Sequence, residues 1–248
     1  MPLLLGVNID HIATLRQARY SGEPDAPNAE PCPIQAGHDA LAGGADSLTI
    51  HVRGDRRHMQ DADAFRIRAE VKTPLNFEMA VTDEMIEIAL KLKPEFACLV
   101  PENRMEVTTE GGLDVIGNFE KTRNAIARLQ AAGIQVSLFI DPDSKQVEAS
   151  VEAHADMIEL HTGAFANAKG DAVQAELVRL IAAAKLGHQR KLQVNAGHGI
   201  NYTNITQILT IPHLAELNIG HSIIARSTRI GLTAAVREMK ELMAHYPA

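Results

Sequence analysis

Short apolar runs recur along the whole chain, and longer segments of helical periodicity separate them. This alternation constrains the fold more than any other feature. The spacing predicts strands at Leu3–Ile9, Ser47–Val52, Leu75–Met79, Phe96–Val100, Gln135–Ile140, Met157–Leu160, Lys191–Asn195 and Glu216–Ile219. Several are apolar on both faces, as strands buried in a parallel sheet are. Helices are expected at Asp83–Lys93, at Asn118–Ala132 with Gly133 closing it, at Asp171–Leu186 and at Ser227–His245. Another should follow Asp141-Pro142-Asp143, where an acidic cap and a proline open a first turn. Eight strands alternating with helices predict an α/β fold closed into a single-domain (β/α)8, or TIM, barrel over residues 1–248. An open doubly wound sheet calls for G-x-G-x-x-G after the first strand. Gly6-Val7-Asn8-Ile9-Asp10-His11 stands there instead.

With 24 basic and 31 acidic side chains the formal net charge is −7, which argues against a nonspecific nucleic-acid or membrane-surface binder. Cys32 and Cys98 form no disulfide framework and no zinc pattern, and read as small buried residues. The N-terminus lacks the basic leader of an export signal, and no apolar run approaches the roughly 20 residues of a membrane span, so a soluble cytoplasmic protein is expected.

Two connections are longer than usual. Tyr20–Pro33 carries Pro24, Pro27, Pro31 and Pro33 and is expected as a stiff excursion before the first barrel helix. Pro101–Gly117, with Gly111-Gly112 as a hinge, is a lid candidate.

In a (β/α)8 barrel, chemistry sits at the C-terminal strand ends. In strand order those ends deliver Asn8, Asp10 and His11; His51 and Arg53; Glu78; Glu102; Asp141; Glu159 and His161; Asn195 and His198; and Asn218 and His221. A scaffold has no need of such crowding, because every buried polar group must find a partner or lose free energy. An enzyme is expected. Asn195-Ala196-Gly197-His198-Gly199 and Asn218-Ile219-Gly220-His221-Ser222 follow strands seven and eight, where this fold recurrently binds phosphate through backbone N–H groups. Arg16, Arg19, Arg53 and Arg57 offer guanidinium partners, while Arg56 and Arg57 beside Asp55 also suit a solvated face. His11, Asp10, His51, Glu78 and His198 match no strong metal-ligand spacing, so no metal is expected.

Several blocks resemble the pyridoxine 5′-phosphate synthase family. They are Gly6-Val7-Asn8-Ile9-Asp10-His11-Ile12-Ala13-Thr14-Leu15-Arg16, His51-x-Arg53-x-Asp55-Arg56-Arg57-His58, Asn76-Phe77-Glu78-Met79-Ala80, Leu99-Val100-Pro101-Glu102, Glu106 through Asp114, Glu159-Leu160-His161-Thr162-Gly163, Asn195 through Gly199 and Glu216 through His221. The proline-rich stretch around Glu23–Cys32 is longer than the family pattern and bears on the geometry behind Arg19. The resemblance implies condensation of 1-deoxy-D-xylulose 5-phosphate with 3-amino-2-oxopropyl phosphate, releasing phosphate and water. It implies no metal or organic cofactor, and a homo-octamer.

Position by position, the resemblance puts acid–base roles on His51, Glu78 and His198 and transition-state stabilisation on Glu159. Glu78, at a strand end among apolar neighbours, is the expected principal base and acid. Contacts to deoxyxylulose phosphate fall on Asp10, His11, Arg53, His58 and Thr108, and those to the aminoketone phosphate on Asn8, Arg19, Gly199, Gly220 and His221. Read without the resemblance, the same residues also suit a phosphosugar lyase or epimerase, or a phosphometabolite-binding regulator without catalysis.

Overall fold

Along each strand, alternate side chains meet two different environments, and this division governs the architecture. The structure, a computed structural model, describes residues 2–102 and 111–247. Its strands are β1 (Leu4–Asn8), β2 (Ser47–His51), β3 (Leu75–Ala80), β4 (Phe96–Val100), β5 (Gln135–Ile140), β6 (Met157–His161), β7 (Gln193–Gly197) and β8 (Leu214–Ile219). All neighbours pair in parallel, and β1 closes on β8 through Leu4↔Glu216 to Val7↔Ile219, completing a barrel in sequence order.

One face of the wall carries Leu5, Val7, Leu48, Ile50, Phe77, Met79, Leu99, Leu138, Ile158, Leu160, Leu217 and Ile219. All are buried in one apolar core that also takes in the helices. Burial of each such side chain stabilises the fold by about 1.5–3 kcal/mol. The opposite face points into the barrel and is largely polar: Asn8, Ser47, Thr49, His51, Asn76, Glu78, Ser137, Glu159, His161, Asn195, Glu216 and Asn218. Among the described residues only Cys98, Val100 and Phe139 form an apolar cluster there, separate from the main core. Two glycines make room for this filling. A Cβ on Gly6 would collide with the Asn218 side chain, and one on Gly197 with the Glu159 carboxylate.

The outer ring comprises α1 (Asp10–Tyr20), α2 (Pro33–Ala42), α3 (Asp61–Glu70), α4 (Asp83–Leu92), α5 (Phe119–Ala131), α6 (Ser144–Glu152), α7 (Gly163–Asn167), α8 (Asp171–Gln189), α9 (Ile205–Ile208), α10 (His221–Ile230) and α11 (Leu232–Met243). The expected caps are present: Asp143 accepts from the Lys145 N–H, and Gly133 follows α5 at φ +80°. Thr82, which accepts from the Met85 N–H, caps α4 as well.

Four expectations need correction. The helix expected at Ser227–His245 is two helices, because Gly231 at φ +82°, ψ 155° interrupts the helical path between α10 and α11. Asp10 and His11 are not the end of the first strand. They open α1, with the Asp10 N–H on Asn8 Oδ1 at 2.9 Å. The Tyr20–Pro33 excursion therefore joins two helices. The seventh strand starts at Gln193 rather than Lys191, since Lys191 takes φ +68° in the turn after α8, and it runs on through Gly197.

The lid candidate divides. Residues 103–110 lie outside the described residues, and Thr108 with them. The part from Gly111 to Gly117 is fastened to the sheet, with the Leu113 N–H on the Phe139 carbonyl at 2.7 Å and Val115 fully buried. Both cysteines are free, Cys98 buried inside the barrel and Cys32 half-buried before α2.

Candidate active site

The polar ends of the strands converge on a cavity of about 510 Å³ at the C-terminal mouth of the barrel. Asn8, Asp10, His11, His51, Arg53, His58, Glu78, Glu159, His198, Gly199, Gly220 and His221 all line it. These come from six strands and their following segments, so only closure of the sheet brings them together. Asn218, a strand-end residue to which the resemblance gives no role, lines it as well.

Glu78 is the fourth residue of β3, and the face it shares is not apolar as expected. Its Oε2 lies 3.8 Å from His51 Nδ1, and Glu159 and Asp10 stand near enough to repel its charge. Burial first, then those two carboxylates, push the Glu78 pKa well above the usual range, against a hydrogen bond from Asn8. Glu159, 2% exposed, is pushed up to about 8, chiefly by burial, although Asn218 Nδ2 donates to it at 2.7 Å. Two carboxyl groups of raised pKa therefore face one cavity.

Opposite them stand imidazoles of depressed basicity. Burial, with help from His161 and His11, lowers His198 to about 4, so the ring is neutral at physiological pH and either donates or accepts one proton. His11 and His58 are lowered too, again mainly by burial. His198 stands edge-on to His161 at 5.1 Å, and His161 Nδ1 is held by Asp141 at 2.9 Å. His11 and His221 meet edge to face at 5.0 Å.

The two glycine-bearing segments adjoin one another. The Ser222 hydroxyl donates to the Ile200 carbonyl at 2.7 Å, tying the segment after β7 to the start of α10. His198 and Gly199 take φ +76° and +78°, and Gly220 is the N-cap of α10. The result is a helix N-terminus beside a left-handed turn, where unpaired N–H groups favour an anion.

The arginines divide sharply. Arg53 lines the cavity and is buried. Arg16 does not serve there. It is 2% exposed and makes two 2.7 Å hydrogen bonds to Asp63, a buried fork that joins α1 to α3. Arg19 is also absent from the lining. It sits exposed in the last turn of α1 with its guanidinium 5.9 Å from the centre of the Tyr20 ring. Nine residues of helix beyond Asp10, at about 1.5 Å each, carry it away from the mouth. Arg57 lines the cavity as well, while paired with Asp55 at 2.6 Å, and Arg56 bridges Asp61 and Glu84, in keeping with a solvated face.

Among the described residues Asp10, His51 and Glu78 bring ligand-type atoms within 4.8 Å of one another. Asp10 already accepts the His51 backbone N–H at 2.8 Å and Asn8 Nδ2 at 2.9 Å, and His51 Nε2 is bonded to Glu102.

The model of one protein family, described as "Pyridoxal phosphate biosynthesis protein PdxJ", matches residues 5–245. The chain belongs to the PdxJ family. Relatives in that family include the "Pyridoxine 5′-phosphate synthase" of Akkermansia muciniphila, 57% identical over 240 residues that cover 96% of this chain and 98% of that protein. The protein of the same name from Opitutus terrae is 54% identical over 245 residues, covering 97% and 99%. Solved structures share the barrel at low identity. Phosphoribosyl anthranilate isomerase from Thermus thermophilus superposes with a TM-score of 0.61 at 14% identity, covering 98% of each chain. Mycobacterium tuberculosis tryptophan synthase gives 0.63 at 12%, covering 98% of this chain and 93% of the other. These two likenesses concern the fold alone.

Glu102, Asn218 and Thr49 are among the polar neighbours of the site that sequence reasoning left without a role, as are His161 and Asp141 beside His198. Glu102 and Asn218 were visible as strand-end groups. Thr49, whose hydroxyl donates to Asn218 Oδ1 at 2.9 Å, gave no signal, because threonine is common in any strand.

Proposed function

We propose that this PdxJ-family chain is a pyridoxine 5′-phosphate synthase that closes the pyridine ring from 1-deoxy-D-xylulose 5-phosphate and 3-amino-2-oxopropyl phosphate. One observation carries the reading. A half-buried carboxyl group, Glu78, stands beside an imidazole within a cavity whose rim includes an anion-favouring helix start. The substrate amine and ketone form their own imine, which acts as the electron sink, so the protein's work is to move protons and hold two phosphates.

In this reading Glu78 is the principal acid and base, made basic enough by burial and by the Asp10 and Glu159 charges. His51 assists at the deoxyxylulose phosphate. His198, neutral at rest, donates a proton at a later step. Glu159 stabilises charge as the ring closes. Asp10, His11, Arg53, His58 and Thr108 bind the deoxyxylulose phosphate. Asn8, Gly199, Gly220 and His221 bind the aminoketone phosphate. The position of Arg19 outside the cavity favours a site completed without it from this chain's own residues. The C-terminal mouth of one barrel spanning residues 1–248 holds the whole site. No helix among the described residues is long and apolar enough to cross a membrane. A cytoplasmic homo-octamer follows from the family resemblance, and analytical ultracentrifugation reads its mass directly.

Incubation with both phosphorylated substrates tests the function. The expected result is pyridine absorbance with release of inorganic phosphate, unaffected by a chelator. Proton exchange from one substrate without the amine favours a lyase or epimerase, binding without turnover favours a regulator, and loss on chelation restored by one metal overturns the cofactor-free chemistry.

A further inference from the structure

Glu102 lies two residues beyond β4 and has no part in the reaction as read above. Its Oε1 is 2.9 Å from His51 Nε2, and its Oε2 accepts the Gly54 N–H at 3.0 Å. Both contacts go to the segment that leaves β2. The carboxylate is therefore pinned at each oxygen to the end of the strand that carries His51, and its side chain is only 16% exposed. Burial pushes its pKa up, but the hydrogen bonds from His51 and Gly54 outweigh burial and hold it below the usual carboxylate range.

An ionised carboxylate offers only lone pairs, so the ring nitrogen that faces it must carry a hydrogen. That nitrogen is Nε2. In the neutral ring the lone pair then sits on Nδ1, which is the atom 3.8 Å from Glu78 Oε2. The ring itself has little freedom to turn, since the His51 side chain is 7% exposed and its backbone N–H is bonded to Asp10. The opposite tautomer sets a lone pair against the Glu102 charge and points N–H at Glu78.

We propose that Glu102 is a positioning residue that holds His51 in its Nε2–H form and presents the Nδ1 lone pair to Glu78 and the bound substrate. The inference rests on the acid–base role assigned to His51 above. A proton received at Nδ1 leaves an imidazolium flanked by carboxyl groups on both sides. Glu102 takes no proton in the cycle. It fixes which nitrogen works and supports the charge that forms, the part a third group plays behind a catalytic histidine.

The test uses the full-length protein labelled with 15N-histidine and recorded at pH 8, with the His51 signals assigned by His51→Asn. The expected spectrum has the proton on Nε2 and none on Nδ1. An Nδ1–H signal in the unaltered protein overturns the proposal, and this reading needs no Glu102 variant to fold. In Glu102→Gln, where the amide pairs with either tautomer, a mixture of ring forms is expected. Its kcat should fall on the order of 10–100-fold, with KM for both phosphates within about threefold and Tm nearly unchanged. Wild-type kcat in that variant, or a change confined to Tm and KM, reduces Glu102 to an anchor for the Gly54 turn and also overturns the proposal. Failure of the underlying reading looks different: His51→Asn then turns over at the wild-type rate whatever the tautomer in the native protein.

Discussion

Glu159 couples function to stability, and replacing it with glutamine makes that coupling measurable. The carboxyl is buried inside the barrel, and its pKa in the fold rises from 4.5 to about 8. The folded protein therefore keeps a proton that the unfolded chain loses between those values. For an acid shifted upward, stability is full below pH 4.5 and falls as pH rises toward 8. Integrated from pH 5 to pH 8, the loss is about 3.5 kcal/mol. Glu159→Gln has no proton to lose. The burial of its amide costs the same at both pH values, so it cancels when the variant's Tm shift at pH 8 is compared with that at pH 5. Asn218 Nδ2 still finds an oxygen to bond. In a chain of 248 residues each kcal/mol moves Tm by about 2–4 °C, so the variant should gain roughly 7–14 °C on the wild type between pH 5 and pH 8. Calorimetry at the two pH values measures it, with ring closure assayed in parallel and expected to fall. An equal Tm difference at both pH values refutes the reasoning, since Glu159 would then titrate alike in the folded and unfolded states.

Glu78→Gln should fold and bind both phosphates while kcat drops on the order of 10² or more, and unchanged turnover removes Glu78 from its role. Arg16→Met leaves the Asp63 carboxylate buried without its fork and should cost about 3–5 kcal/mol, seen as a large fall in denaturation midpoint with KM unaltered. A raised KM for a phosphate substrate at full stability would instead return Arg16 to substrate binding. Gly197→Ala pushes a methyl group into Glu159 and the Asn218 carbonyl, so a loss of about 1–3 kcal/mol together with reduced kcat is expected; a silent variant would show the filling to be loose.

The order of elements was legible in the chain because it depends on local patterns. Apolar runs such as Phe96–Val100 and Gln135–Ile140 matched the strands residue for residue, and the caps at Asp143 and Gly133 stood where turn chemistry requires them. Errors arose where one residue's backbone angle outweighed periodicity, as at Gly231 and Lys191. Of the residues expected at the site, Asn8, Asp10, His11, His51, Arg53, His58, Glu78, Glu159, His198, Gly199, Gly220 and His221 reached the cavity, whereas the strand-end groups Glu102, Asp141, His161 and Asn195 did not line it. Arg16 and Arg19 did not, because their placement depends on where α1 points and on which carboxylate a long side chain meets.

Sequence alone therefore determined the barrel and the identity of most groups around its mouth, since period, burial pattern and strand-end polarity are written along the chain. Tertiary structure decided what those groups are in a physical sense. Closure of the sheet crowded Glu78, Glu159 and Asp10 into one poorly solvated space, raising the two glutamate pKa values, and set Glu102 against one nitrogen of His51. Charge state and tautomer depend on distance and dielectric, and both come into being only when residues remote in sequence are brought together.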